Sequence, residues 1–380
     1  MAYRIGVIVS RLYFHPLSKF PGPRLYAGSH LPYLFYEKLA GTFYKDVAAL
    51  HERYGPIVRI APNRLAIEPS IAWKEIFAHR PPARGEFQKD KRHFRNPDSL
   101  IAAYTDDHRR QRRQLSQAFS EVAMYQQEVY IKRYINLLIE QLSRLTEEGK
   151  IVDLVQWFNF TSFDIIGELT FAESFDCLSN GEYHPWITLI FTSIKAAANL
   201  QFIMQYPLLK PLAWYMVGKK GLERGRQHRE AARQRAERRM ALGPVDERKD
   251  FMTYILRDND DTGKGGMTHN EIVQNTGLLM GAGSETTAGA LSGLCFYLSK
   301  SPHAYSRLTK EIRSSFQSEE EINMRAVAQL PYLQACIEEG LRLYSPVPDL
   351  SPRVCPGDVV AGNYIPPGVS RIPSTHKNGD

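Results

Sequence analysis

Three groups of side chains have the types and spacing to do chemistry. The first is Gly281-Ala282-Gly283-Ser284-Glu285-Thr286-Thr287, in the middle of a long apolar stretch from Thr268 to Lys300. Glycines cost about 1 kcal/mol each inside a helix. A carboxylate and two threonine hydroxyls in an apolar helix need partners. So much local cost marks a place where something flat or small comes close to the backbone. A kinked core helix with hydrogen-bonded threonines explains the same pattern. The second group is His108 and Arg112, four residues apart behind Asp106 and Asp107, and so on one helix face. Two cationic donors there can hold a carboxylate or a phosphate; a solvated basic face is the alternative. The third is Glu339 and Arg342, three apart on the otherwise apolar segment 331–344. Their surroundings predict a buried ion pair. Desolvation opposes the Coulomb gain of such a pair, so it reads as a geometric fixture rather than a source of stability.

These groups need elements to position them. Thr268 followed by Glu271 is a capping box, and no proline intervenes before Pro302, so one helix of roughly 45–50 Å is predicted. Its apolar residues lie nearly all round, the mark of a buried central helix. Helices are also predicted over 42–54, over 71–80 with Ser70 as cap, over 122–148, over 155–171 as a buried element, over 251–257, over 302–316 and over 331–344. Segments 56–62 and 64–69 read as two short strands around Pro62-Asn63, and 358–368 as a hairpin. Arg353 stands alone in an extended run. Segment 184–218 is aromatic and apolar, and its prolines predict a loop or two short helices, either core or a surface that touches membrane.

A hydrophobic content of 43% over 380 residues allows a large core. Without internal repeats, a single large, mostly helical domain is the simplest organisation. The net charge of +7 is local: Lys219 to Arg239 holds nine Lys/Arg against three Glu. That stretch lacks aromatics to stack bases, so it reads as a solvated helix face rather than a nucleic-acid surface. Cys177, Cys295, Cys336 and Cys355 are scattered without zinc spacing, as in a reduced, intracellular chain. The apolar run Ile5–Val9 is too short to span a bilayer, is interrupted by Arg11 and stops at Pro16. It reads as an anchor remnant or an interfacial segment ahead of the stiff Pro21-Gly22-Pro23 hinge.

In this order the motifs resemble one family. Ala282-Gly283-Ser284-Glu285-Thr286-Thr287 resembles the oxygen-binding helix of cytochromes P-450, and Glu339-Gly340-Leu341-Arg342 their ExxR helix. His108 and Arg112 resemble the helix whose donors meet a haem propionate. The proline hinge, 51–63, Ser351-Pro352-Arg353 and 362–368 match as well, nearest to the fungal microsomal branch. The resemblance implies a mainly α fold with a small β-rich subdomain, incomplete at the C-terminus: residues 1–24 as anchor remnant and hinge, 25–380 as one domain. It implies that Ala282 and Gly283 let haem and dioxygen approach the helix. Thr286 would donate to bound dioxygen and Glu285 relay protons. His108, Arg112 and Arg353 would neutralise the propionates, and Glu339 and Arg342 brace the core.

The implied activity is haem-dependent monooxygenation of a hydrophobic small molecule, in secondary metabolism, with electrons from NADPH-cytochrome P-450 reductase. Arg109, Arg110 and Arg113 are candidate docking residues for it. The implied location is the cytoplasmic face of the endoplasmic reticulum membrane, by peripheral contact, or the cytoplasm. Loops 87–104 and 199–215 would set the substrate. One departure stands out. The family's axial ligand is a cysteine in a loop of pattern FxxGxRxCxG, which supplies the thiolate that gives this haem its character. Residues 353–357, RVCPG, fit half of it, but Pro348 and Ser351 stand where Phe and Gly belong, only 13 residues after Arg342. Cys355 is therefore read as a decoy, no residue as a metal ligand, and the chain as truncated and unable to bind haem in the usual way. The alternative function is a haem-free small-molecule binder or regulatory fragment.

Overall fold

A computed structural model describes residues 2–373 apart from 79, 82–83, 92, 94–96, 191–199, 201, 204–209, 246–247, 258, 260–264 and 348–350. For 210, 212–220, 222 and 371–373 it describes the backbone alone. Part of the apolar segment 184–218, Pro348 and most of the glycine-rich turn at 262–266 thus lie outside the described residues. The chain divides into two compact units: 1–97 with 192–223 and 347–380, and 98–191 with 224–346.

The first unit is built on a sheet. Its strands are β1 (Ile57–Ala61), β2 (Arg64–Ile67), β3 (Gln88–Lys89), β4 (Arg353–Val354) and β7 (Ser370–Pro373), in the order β1-β2-β7-β4-β3. A separate hairpin pairs β5 (Asp358–Val360) with β6 (Asn363–Ile365). β1 and β2 are antiparallel, with Ile57 opposite Ile67 and an irregularity between Arg59 and Ala61. β2 and β7 run parallel, Arg64 beside Ser370. Both early strands are buried throughout because each face has its own cover. Ile57, Leu65 and Ile67 join one apolar cluster with Cys355 and Val360; Val58, Ile60 and Ala66 join another with Tyr33 and Phe43. The period of two sorts alternate side chains to opposite faces.

The unit's helices are α1 (Ala2–Val9), α2 (Arg24–Gly28), α3 (Leu31–Leu34), α4 (Phe43–Tyr54) and α5 (Pro69–Ala72), the last continuing as a wider turn over Trp73–Phe77. Ser70 lies inside α5 and Glu68 holds the cap position. The proline hinge is docked: Arg59 N donates to Pro21 O at 2.7 Å, and a Cβ on Gly22 would overlap the Arg59 carbonyl. Only glycine permits that approach.

The second unit is helical: α6 (Thr105–Ala118), α7 (Glu121–Glu147), α8 (Leu154–Phe171), α9 (Cys177–Asn180), α10 (Lys210–Ala241, in this unit from Arg224 on), α11 (Phe251–Arg257), α12 (His269–Lys300), α13 (Pro302–Ser315), α14 (Met324–Val327) and α15 (Pro331–Leu343). α10 joins the second half of the apolar segment to the basic stretch in one helix, where a break was expected. Its Pro211 falls in the first turn, where proline costs no hydrogen bond. α12 starts on the predicted capping box and packs along α8. It is buried in its N-terminal half, at Ile272, Val273 and Met280, but Leu291 and Phe296 are exposed. The expectation of burial all along it is corrected: α8 covers the first half, and α13 and α15 flank only part of the second.

Candidate active site

The glycine-rich centre of α12 serves two surfaces. Gly283 is the contact with α8. A Cβ there would stand 2.7 Å from Ile166 Cδ1, so the missing side chain lets the two helices close up. Gly283 thus has a packing role beside the one expected for it. Gly281 is different: a Cβ there would meet nothing within 4 Å. Ala282 and Glu285 are exposed, and Thr286 is half-buried. The open surface of this helix is therefore set by Gly281, Ala282, Glu285 and Thr286.

The hydroxyls here fold back on the helix. Ser284 Oγ donates to Met280 O at 2.7 Å, Ser292 Oγ to Ala288 O at 2.7 Å, and Thr286 Oγ1 to Ala282 O. Such back-bonding satisfies a hydroxyl without an external partner, and the bond can be exchanged for another acceptor. Among the described residues Glu285 makes no hydrogen bond or ion pair; its charge lies within reach of Tyr183, whose pKa rises first through burial, then through Asp153, Cys177 and Glu285. An exposed acid thus stands one residue from a hydroxyl on the same open surface.

α6 supplies the cationic donors. His108 is half-buried, and Arg112 is exposed with no ion pair among the described residues. Arg110, two residues before it, has a structural task that sequence reasoning missed. Its Nη2 donates to Glu271 Oε1 at 2.6 Å and its Nη1 to Glu271 Oε2 at 2.8 Å and Gly266 O at 2.6 Å. Gln111 adds a bond to Glu271 Oε1 at 3.0 Å and, through its own Oε1, receives Asn275 at 3.0 Å. This network ties α6 to the first turn of α12. Burial alone would lift the Glu271 carboxyl, but the Arg110 bonds outweigh it and hold the group below its usual value. Arg110 is therefore withdrawn from the docking cluster. Arg109 and Arg113 stay exposed, Arg109 bonded to Asp106 at 3.3 Å.

The Glu339–Arg342 pair forms as expected, with Arg342 Nε to Glu339 Oε2 at 2.6 Å and Nη2 to Oε1 at 2.7 Å. Its burial does not. The two side chains are 53% and 50% exposed. α15 turns Gly340 against Leu294, where a Cβ would come within 3.0 Å, and this leaves the ion pair outward. A cavity of about 340 Å³ lies between α12, α13 and α15, with Leu294, Tyr297, Cys336 and Glu339 among its walls.

In the first unit, Arg353 is held on β4 between β3 and β7. Its guanidinium lies over the Phe77 ring, 5.3 Å from the centroid. Its Nε is buried and has no hydrogen-bond partner among the described residues. Burial lowers its pKa despite Glu86 nearby, and burial together with Arg353 pushes the opposite Lys89 down to about 8. A buried, unfilled donor beside a second cation suits an anionic oxygen. Cys355 is 2% exposed and closed into an apolar cluster with Val360 and Ile365. Its Sγ donates to Ile365 O at 3.4 Å and accepts from Gly357 N at 3.3 Å.

Haem presents two carboxylates and an iron. Arg353, with its unfilled Nε, fits a carboxylate, as does the exposed Arg112. The cysteines do not fit the iron, which takes a thiolate. Cys355 is locked in the β-hairpin core. Burial pushes Cys177 up to about 12 and lifts Cys295 and Cys336 as well.

Residues 21–376 match the family described as cytochrome P-450. The cytochrome P-450 monooxygenase astJ of Aspergillus oryzae is 42% identical over 377 residues, covering 97% of this chain and 74% of the relative. A second monooxygenase of that organism, aclL, is 42% identical over 370 residues, 96% of this chain and 74% of its own. The trichothecene C-15 hydroxylase of Fusarium sporotrichioides is 38% identical over 371 residues, 96% and 75%. The chain belongs to the cytochrome P-450 family. By family it is a haem-dependent monooxygenase, an oxidoreductase with a mainly α fold, and its relatives are fungal enzymes.

Proposed function

We propose that the open surface of α12 is where this family's oxidation of a hydrophobic secondary metabolite takes place whenever haem is held, with Thr286 and Glu285 as the proton-handling pair; none of the four cysteines is placed to give the iron its thiolate. The single observation that carries the reading is the pairing of a back-bonded Thr286 hydroxyl with an exposed Glu285 beside Gly281 and Ala282, where the helix has no bulky side chain. The Thr286 hydroxyl rests on Ala282 O. By leaving that carbonyl it offers one O–H donor to an oxygen atom on the helix surface. Glu285, open to solvent, replaces the proton so given. In the helical unit His108 and Arg112 suit a carboxylate of the cofactor, and in the first unit Arg353 does. Haem, when bound, supplies the redox chemistry by which one atom of dioxygen enters substrate and the other leaves as water.

Arg109 and Arg113 form the docking surface for NADPH-cytochrome P-450 reductase. The chain works at the cytoplasmic face of the endoplasmic reticulum. It touches that membrane through Tyr3, Phe14 and Leu25, which are exposed. Because a relative is a trichothecene hydroxylase, a trichothecene is the first substrate to try.

The test is product formed per NADPH consumed, with haem content measured in parallel. Thr286→Ala is expected to leave haem content unchanged and lower the product yield roughly 10²-fold, with Glu285→Gln following it. Unchanged yield in both variants overturns the assignment. Cys355→Ala is expected to leave haem content and the reduced carbon-monoxide spectrum as they were. Loss of a thiolate-type band in that variant alone would make Cys355 the axial ligand.

A further inference from the structure

One buried amide in the second unit holds three pieces of chain at once. Asn275, on α12, is 1% exposed. Its Oδ1 accepts from Leu100 N at 2.8 Å, and its Nδ2 donates to Gln111 Oε1 at 3.0 Å and to Glu271 O at 2.9 Å. The direction of these bonds is set from one end. The Glu271 carboxylate can only accept, so Gln111 turns its nitrogen to it, at 3.0 Å, and its oxygen to Asn275. Asn275 then gives its nitrogen to Gln111, which leaves its oxygen for Leu100. Leu100 belongs to segment 98–104, which leads into α6 through a tight turn: Ala102 N donates to Ser99 O at 2.9 Å and Ala103 N to the same oxygen at 2.8 Å. Asp98 takes a second bond, from Asn270, at the surface.

This anchor lies at one end of the open surface of α12. Asn275, Leu279, Ala282 and Thr286 follow one another at intervals of four, three and four residues, so they form a single stripe. Burial falls along it: Asn275 is buried, Leu279 half-buried and Ala282 exposed. Leu100 and Leu279 pack against the same core cluster. Segment 98–104 therefore covers the N-terminal end of the stripe and leaves Ala282 and Thr286 open. At 1.5 Å per residue, about 10 Å of helix separates Asn275 from Ala282. Ile101, within the turn, is 44% exposed.

We propose that Asn275 is a positioning residue for substrate length: it pins segment 98–104 as the end wall of the open surface of α12. The proposal rests on the reading of that surface given above and adds the dimension of the molecule it accepts. A compact apolar molecule fits between the wall and Thr286, whereas one with a long tail must displace the turn. The buried bond decides this, because a buried N–H deprived of its acceptor is costly. The exposed bond to Asp98 is exchanged for water.

The experiment uses the full chain and two naphthalene dyes with one headgroup and different tails, prodan with a propionyl and laurdan with a dodecanoyl chain, whose emission reports apolar surroundings. Two variants release the turn from opposite sides. Asn275→Leu removes the acceptor, and Leu100→Pro removes the donor at a position of the turn that favours proline. In both, amide hydrogen exchange at Ala102 and Ala103 should quicken about fivefold, the worth of one hydrogen bond. The affinity for laurdan relative to prodan should rise about tenfold. Affinity for prodan itself should stay as it was, which separates release of the wall from general loosening. Asn270→Ala, at the exposed bond, should change neither. Unaltered exchange in either releasing variant overturns the anchor. Faster exchange with an unaltered dye ratio overturns the wall, and so the proposal alone. Ala282→Trp should block both dyes. A parent that binds neither dye, or binding that survives Ala282→Trp, overturns the reading of the α12 surface and the proposal with it.

Discussion

Arg239–Asp250 and Arg342–Glu339 are the same two-bond fork in opposite surroundings. In the first, Nε and Nη2 reach the carboxylate at 2.9 and 2.8 Å, and both side chains are 0% exposed. In the second the distances are 2.6 and 2.7 Å and half of each side chain meets solvent. The buried fork is one node of a larger network: Arg248 joins Asp250 to Glu168, and Glu168 also accepts from Arg133 and Tyr134, each at 2.9 Å. The exposed fork has no such extension among the described residues. Identical local geometry therefore has different energetic consequences. A buried arginine stripped of its acid leaves an uncompensated charge, whereas an exposed one returns to water.

The largest expected effect is at Asp250. Asp250→Asn leaves Arg239 fully buried without its counter-charge and also weakens the bonds to Arg248 and Thr253 N. A loss of about 3–5 kcal/mol, or a midpoint lower by roughly 4–6 °C, is expected in thermal unfolding. An unchanged midpoint would erase the distinction between the two forks.

Glu271→Gln comes next, since Glu271 is buried but shared among Arg110, Gln111 and Thr268 N. A cost of about 2 kcal/mol at neutral pH fits the loss of charged hydrogen bonds. The sign with pH follows from the depressed carboxyl. Its stabilisation is fully present above the unfolded value of about 4.3 and disappears as pH falls through the lower folded value. The difference in midpoint between parent and variant should thus be constant near neutrality and shrink in acid. A difference that instead grew in acid would reverse the assignment.

At Gly283 the comparison moves from charge to volume. Gly283→Ala places a methyl 2.7 Å from Ile166 Cδ1, an overpacking cost of about 1–2 kcal/mol against a helix-propensity gain of about 1 kcal/mol. A small net destabilisation is expected. Ile166→Val removes the clashing carbon, so in that background the same alanine should stabilise. Destabilisation of equal size in both backgrounds would place the obstacle elsewhere.

What was legible in the sequence has a local cause. The start of α12 is written in Thr268 and Glu271, because a capping box closes within four residues. The β1–β2 turn is written in Pro62-Asn63, and the β5–β6 hairpin in its alternation around Ala361-Gly362. The paired His108 and Arg112 fall on one helix as their spacing requires. What was not legible depends on distant partners. Arg239 belongs to a stretch that reads as a solvated basic face, yet it is buried because Asp250 and Thr253 meet it from beyond the next loop. Arg110 looked like one more exposed cation until Glu271, 161 residues away, took it. Gly283 and Gly281 are identical in sequence terms, and only the position of Ile166 tells which one is packed.

The smallest expected effect sharpens the contrast most. Glu339→Gln removes a charge from an exposed fork on α15, and the thermal midpoint should not move. Arg342 keeps its hydration, and no buried donor is orphaned. Salt should not separate parent from variant either, since an exposed pair is already screened. The apolar residues beside it, Ile337 and Leu341, are also exposed, so the result reports on the whole α15 surface. A fall comparable to that of Asp250→Asn would mean that this surface is covered in solution and that the fork is buried after all. Its apolar neighbours, which led the sequence reading to bury it, would then be the true guide to its surroundings.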